Sequence, residues 1–147
     1  MTMHRRPLGR GRTLAALGGA IVVIGSVLPW WQVGGDPGLP TASGNGLEGS
    51  GIVVFLVGVI TLGLVALPYA LGDRPTGLDR WLSFALLAVV GWLALAWRVL
   101  DLLMRGAFAF DEPAQVFTNG PGLWLVGLGM VILSRAVYTM SLEPRYR

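Results

Sequence analysis

The sequence contains no cysteine and no lysine, and its single histidine is His4. Without cysteine the chain cannot form disulfides, Cys-ligated zinc sites, iron–sulfur clusters or thiol nucleophiles. Without lysine it has no phosphate-binding loop of the Gly-x-x-x-x-Gly-Lys type. One histidine in the N-terminal tail supplies neither a bis-histidine haem site nor a Ser-His-Asp triad. We therefore expect no catalytic residue, no metal, no cofactor and no enzymatic activity.

Charge is also scarce, since charged residues make up 13% of the 147 positions, against about 25% in a soluble domain. Apolar residues account for 54%, and there are 22 glycines. This composition excludes a disordered chain and indicates an integral membrane protein. All eleven basic residues are arginine, which is typical of a GC-rich bacterial genome. The net charge of +3 does not indicate a nucleic-acid-binding surface, because the arginines are distributed along the sequence in the way that is typical of a membrane protein.

Four long stretches carry no charged side chain: residues 13–35, 49–72, 81–97 and 113–134. A transmembrane helix needs about 20 apolar residues. None of the stretches alternates apolar and polar residues as a transmembrane strand does, and backbone groups in lipid must be bonded internally. The sequence therefore predicts one all-α integral membrane domain, a four-transmembrane-helix bundle. Its apolar cores are expected at about residues 14–29, 51–71, 81–104 and 122–138.

Arginine placement predicts the orientation of these helices. If all four cross the membrane, eight arginines lie on one side: Arg5, Arg6, Arg10, Arg12, Arg74, Arg80, Arg145 and Arg147. The opposite loops carry Arg105 alone. Arginine is concentrated on the cytoplasmic side of membrane proteins, so we expect both termini to be cytoplasmic, in the bacterial cytoplasmic membrane. Residues 26–31 lack a small-x-small cleavage site, so the first helix is expected to remain uncleaved.

Glycines recur every seven residues along the first helix, at Gly11, Gly18 and Gly25. Helices in lipid associate where small residues allow close backbone approach, and a seven-residue repeat keeps one face toward a neighbour in a left-handed bundle. We name these three glycines the glycine stripe. The stripe is predicted to be a helix-packing face for a partner subunit. The alternative is that it packs internally against the other three helices.

Three charged residues follow one another at the outer end of the third helix. Arg98, Asp101 and Arg105 stand at i, i+3 and i+7, so Asp101 can meet an arginine on the turn before it and on the turn after it. Charges at membrane depth are often functional. The alternative interpretation is a self-neutralised cluster whose side chains reach the headgroups where the helix leaves the bilayer.

Two further features are expected at the membrane surfaces. Trp30 and Trp31 follow the first helix and are predicted to anchor it at the outer interface. Arg135 lies in the inner third of the fourth helix, where it can reach inner headgroups. Alternatively, Arg135 forms a salt bridge with Asp73, Asp79 or Glu143.

The outer loops offer surfaces for a partner. The first is predicted to be long and irregular, because it has seven Gly or Pro residues between positions 34 and 46, although short paired strands are an alternative. The second contains three phenylalanines, at positions 108, 110 and 117, which either meet a neighbour or fold back onto the bundle.

The helix exit Leu28-Pro29-Trp30-Trp31 and the glycine-rich segment 43–51 resemble small, uncharacterised four-span membrane proteins of GC-rich bacteria. The resemblance implies an architecture and no activity. The expected function is therefore a non-catalytic accessory or structural subunit of a larger membrane complex, with the lipid bilayer and other membrane subunits as partners. The alternatives are a small transporter or channel component acting as an oligomer, and a lipid-modifying enzyme using Asp101 with Arg98.

Overall fold

The computed structural model describes residues 9–34, 38, 40–71, 81–106 and 119–143. Within these residues the chain forms four helices, α1 (Arg10–Val27), α2 (Gly51–Leu71), α3 (Trp81–Met104) and α4 (Pro121–Leu142). Each helix is long and apolar enough to cross a membrane. The prediction of four such helices is confirmed.

The boundaries of α2 and α3 match the predicted spans. Helix α4 is longer than predicted, and α1 begins four residues earlier and ends two residues earlier than its predicted span. Helix α1 begins at Arg10 and α4 continues to Leu142, four residues beyond the apolar core in each case. Arginine is a good helix former, so a charged residue limits the apolar span without ending the helix. Helix α2 also continues past Pro68, which lies near its C-terminal end.

The helices pack as a ring in which α1 contacts α2 and α4, and α3 contacts the same two helices. The core between them is apolar. Its fully buried side chains include Ala15, Val22, Val54, Phe84, Met130 and Leu133. Two buried hydroxyls, of Ser26 and Thr61, donate to carbonyl oxygens one turn earlier in their own helices, at 2.8 and 2.7 Å.

The glycine stripe faces α4. A methyl group built on Gly18 would lie 2.9 Å from the carbonyl oxygen of Gly129, and one on Gly25 would lie 2.8 Å from the backbone nitrogen of Val126. Gly11, at the other end of the stripe, faces Met140. The two backbones therefore touch along most of α1, in antiparallel directions. The partner-facing interpretation does not fit this arrangement, because α4 of the same chain covers the stripe.

The segment between α1 and α2 is not the irregular loop that was predicted first but contains the short paired strands of the alternative. Strands β1 (Pro29–Val33) and β2 (Ala42–Asn45) form an antiparallel hairpin in which Trp31 pairs with Gly44. The backbone N–H of Gly46 donates to the carbonyl oxygen of Ser26 at 2.9 Å. The hairpin is thereby tied to the last turn of α1.

Candidate functional site

The candidate site is a cleft of about 690 Å³ between the hairpin and the last turns of α3. It is formed at the end of the bundle where α1 stops, α2 starts and α3 stops. Its charged and aromatic lining comes from Trp31, Glu48, Trp97, Arg98, Asp101 and Arg105. The site thus combines the charged series predicted on α3 with two residues of the segment that precedes α2.

Arg98 is the centre of the charge network. Only 5% of this residue is exposed, and its Nη1 donates to Oδ2 of Asp101 at 3.1 Å. Asp101 accepts a second hydrogen bond, from Nε of Arg105 at 2.9 Å. Glu48 approaches from the other side, with its Oε2 3.7 Å from Nη2 of Arg98. The four groups carry two positive and two negative charges, so the cleft is electrically balanced.

The structure brings Arg98, Asp101 and Arg105 together as the helical spacing predicted. It does not place Arg98 at the surface, because the guanidinium is covered by the segment that carries Glu48. Burial of an arginine requires partners for its charge and its N–H groups. The headgroup-reaching interpretation therefore does not fit Arg98, although it still describes Arg105, whose side chain is 71% exposed.

Two glycines make room for this network. Gly49 has a φ of +56°, and a methyl group added there would lie 3.0 Å from Nη1 of Arg98. Gly44 lies beneath the indole of Trp31, and a methyl group on it would be 2.7 Å from Oε2 of Glu48. A side chain at either position would displace a group that lines the cleft.

Two donors in the cleft lack acceptors. Among the described side chains, Nε1 of Trp31 and Nε of Arg98 are buried and have no hydrogen-bond partner. A buried donor without an acceptor destabilises a fold by about 1–3 kcal/mol, and such groups are uncommon in native structures. Both donors belong to residues that line the same cleft, so the unsatisfied polar groups of the described residues are concentrated at this site.

The expected anchoring role of Trp30 does not fit the structure. Trp30 is fully buried, and its indole N–H donates to the carbonyl oxygen of Gly25 at 3.0 Å. The ring lies against Gly46. Entry into strand β1 turns this side chain onto the end of the bundle, whereas an interfacial anchor must face the headgroups. The neighbouring Trp31 is half-buried and faces the cleft.

Arg135 lies on an exposed part of α4, with its guanidinium carbon 5.3 Å from the centre of the Tyr138 ring. This is a cation–π distance. Asp73 and Asp79, two of its predicted partners, lie outside the described residues, as does the second outer loop with its phenylalanines. The third, Glu143, accepts the backbone N–H of Gly11 at 3.4 Å. No ion pair of Arg135 occurs within the part of the chain that the structure describes.

Sequence reasoning missed Glu48 and the role of Trp31 in the cleft. Glu48 is 50 positions away from Arg98 in the chain, and helical spacing relates only residues one or two turns apart. One usable signal was present, because Glu48 is one of the few carboxylates on the predicted outer side, where Arg98 needs a partner.

Comparison of the chain with protein-family models, with curated proteins and with solved structures finds no match.

Proposed function

We propose that this chain is a non-catalytic, structural subunit of a larger assembly in the bacterial cytoplasmic membrane. It crosses the membrane four times and meets its partner subunit with the hairpin end of the bundle. The observation that carries this proposal is the way in which the hairpin is fixed. A segment that only connects two helices needs no such fixation, whereas a rigid, outward-facing surface suits recognition.

Three contacts hold the hairpin segment in place. The N–H of Gly46 and the indole of Trp30 each bond to a carbonyl oxygen of the last turn of α1. Glu48 lies against the buried guanidinium of Arg98 on α3. The residues Thr41, Ala42 and Ser43 remain exposed at this end. They offer a partner a surface whose shape is set before binding, which lowers the entropy lost on association.

The transporter alternative has less support from the packing. The described core is apolar, and its buried hydroxyls are bonded within their own helices. A polar path for a substrate would then have to lie between copies of the chain in an oligomer. The lipid-modifying alternative is also weakened, because both carboxylate oxygens of Asp101 already accept hydrogen bonds from arginines.

The proposed orientation places the hairpin outside the cell and both termini in the cytoplasm. The start of α1 and the end of α4 are adjacent, because Gly11 contacts Glu143 and Met140. Since the chain contains no cysteine, single cysteines report orientation cleanly. In intact cells an impermeant maleimide should label Ser43→Cys and should label Ser141→Cys only after lysis. The opposite pattern would invert the proposed topology.

The partner proposal is tested by photo-crosslinking in cells. A photoreactive amino acid at Ser43 should capture one distinct membrane protein that also co-purifies in mild detergent. The same residue at Ser141, an exposed serine at the other end of the bundle, is the matched control and should not capture it. Capture of a second copy of this chain at Ser43 would favour the oligomeric transporter. Absence of any protein adduct from Ser43 would contradict the proposal.

A further inference from the structure

The cleft has the chemistry of a lipid-headgroup site. We infer that it binds the headgroup of a zwitterionic phospholipid, with the phosphate held by donors of Trp31, Arg98 and Arg105 and the ammonium held by Glu48. This inference concerns a ligand and requires only that the chain resides in a membrane. It is therefore independent of whether a partner subunit contacts the hairpin.

The donors supply the phosphate-binding half of the site. The buried Nε of Arg98 and Nε1 of Trp31 have no acceptor among the described residues, while the exposed guanidinium of Arg105 uses Nε for Asp101 and carries further N–H groups. Phosphate oxygens accept several such bonds at once, and arginine is well suited to donate them. The contact between Glu48 and Arg98 is the longest of the network, at 3.7 Å. Glu48 is thus the group that shifts to admit a ligand oxygen.

The balance of positive and negative side chains in the cleft favours a zwitterionic headgroup over a free phosphate anion. A cleft for a free anion would carry an excess of positive charge, whereas this cleft also contains the carboxylates of Glu48 and Asp101. The Glu48 side chain is 54% exposed and can pair with an ammonium group. Trp97, which is 67% exposed, presents a ring face that attracts cations. A headgroup with both a phosphate and an ammonium matches both halves of the cleft.

The surface below the cleft suits the acyl chains of the same lipid. Leu86, Val90, Leu93 and Trp97 are exposed on α3. Their spacing of i, i+4, i+7 and i+11 places them in one row along the helix. The row leads to Trp97, which also lines the cleft. Tryptophan at the end of a span is typical of headgroup level, so a lipid lying along this row would bring its headgroup to the charged residues.

The test is native mass spectrometry of the whole chain purified in mild detergent. Phosphatidylethanolamine and phosphatidylglycerol with identical acyl chains are titrated in competition. The wild-type protein should retain phosphatidylethanolamine in preference, by about twofold to fivefold, as expected for one exposed ion pair. Glu48→Gln should abolish this preference. Arg105→Gln should weaken retention of both lipids by a similar factor, and Arg135→Gln, at the other end of the bundle, should change nothing.

Melting curves of all variants show whether a loss of lipid reflects a loss of fold. Because the side chains of Glu48 and Arg105 are exposed, a local loss of binding should leave the melting temperature nearly unchanged. Competition with water-soluble compounds distinguishes a site for a lipid headgroup from a site for free phosphate. Glycerophosphoethanolamine should displace the lipid at a lower concentration than inorganic phosphate does. Equal competition by inorganic phosphate, equal retention of both lipids by the wild type, or equal behaviour of Arg105→Gln and Arg135→Gln would overturn the inference.

Discussion

The α1–α4 seam and the hairpin end are held together by opposite means. Along the seam, glycines let two backbones touch, and the stabilising contacts are dispersion contacts between main-chain atoms. At the hairpin end, large and charged side chains do the packing, through the indole of Trp30 and the network around Arg98. At the end of the seam the carboxylate of Glu143 accepts from the backbone N–H of Gly11, whereas at the hairpin end two buried donors have no acceptor among the described residues.

This difference indicates a division of roles. A seam made of backbone contacts is sensitive to every added carbon atom and insensitive to charge. A network of charged side chains around a cleft tolerates changes in size better, but it responds to any change in charge or to a ligand. We therefore expect the stability of the bundle to depend chiefly on the seam, and the proposed recognition to depend chiefly on the hairpin end.

The largest effect is expected from a large side chain in the seam. Gly25→Leu should destabilise the protein by about 3 kcal/mol or more, because even its first carbon would overlap the backbone of α4. The matched control is Gly63→Leu on α2, where an added methyl group meets no atom within 4 Å. Size-exclusion profiles and melting curves in one detergent compare them. Similar losses in both variants would break the distinction between the seam and the rest of the bundle.

A smaller but substantial effect is expected from the buried cation. Arg98→Gln should destabilise the protein by about 2 kcal/mol, because Asp101 and Glu48 would both lose the buried guanidinium that they contact. Glu48 would lose its contact with α3, so limited proteolysis should cut the hairpin faster. Arg135→Gln removes an exposed arginine and should change stability by less than about 0.5 kcal/mol. An unchanged rate of hairpin cleavage in Arg98→Gln would show that Arg98 does not hold this segment.

Gly49→Ala should destabilise by about 1–2 kcal/mol, since a side chain at positive φ is strained and would also crowd Arg98. Gly106→Ala isolates the strain, because Gly106 has a φ of +70° and an added methyl group there meets no atom of the described residues within 4 Å. Chemical unfolding of the two variants should therefore show a larger loss at Gly49. If the two losses are equal, the cleft accommodates the extra carbon atom without cost.

The smallest effect on stability is expected at the rim of the cleft. Arg105→Gln should change the free energy of unfolding by less than about 1 kcal/mol, because its ion pair with Asp101 is largely exposed to solvent or headgroups. Melting curves measured without added lipid check this. A loss as large as that of Arg98→Gln would mean that Arg105 supports the fold, and its use as a probe of lipid binding would then fail.

The helices could be predicted from the sequence because charge-free length is a strong signal in a membrane protein. Helix α3, for example, runs over the predicted residues 81–104. The seven-residue spacing of Gly11, Gly18 and Gly25 also predicted a packing face. It could not identify the neighbour, because small residues permit close approach to any helix and do not select one.

The cleft was only half predictable. The spacing of Arg98, Asp101 and Arg105 predicted their pairing, since these residues share one helix. The contacts of Glu48 and Trp31 depend on how the β1–β2 hairpin turns back over α3, which is a long-range property of the fold. The tryptophans illustrate the same limit. Two adjacent tryptophans after a helix are equivalent in the sequence, yet Trp30 is buried in the core and Trp31 faces the cleft.

Hydrogen exchange of the wild-type protein in nanodiscs tests this division of roles most directly. The amides of residues 42–49 and of α1 and α4 are followed first in phosphatidylglycerol alone, and then after phosphatidylethanolamine is added. We predict slower exchange at residues 42–49, because the bound headgroup closes the cleft, with no change along α1 and α4, because the glycine seam is complete without a ligand. Unchanged exchange at the hairpin, or an equal change along the seam, would contradict the account.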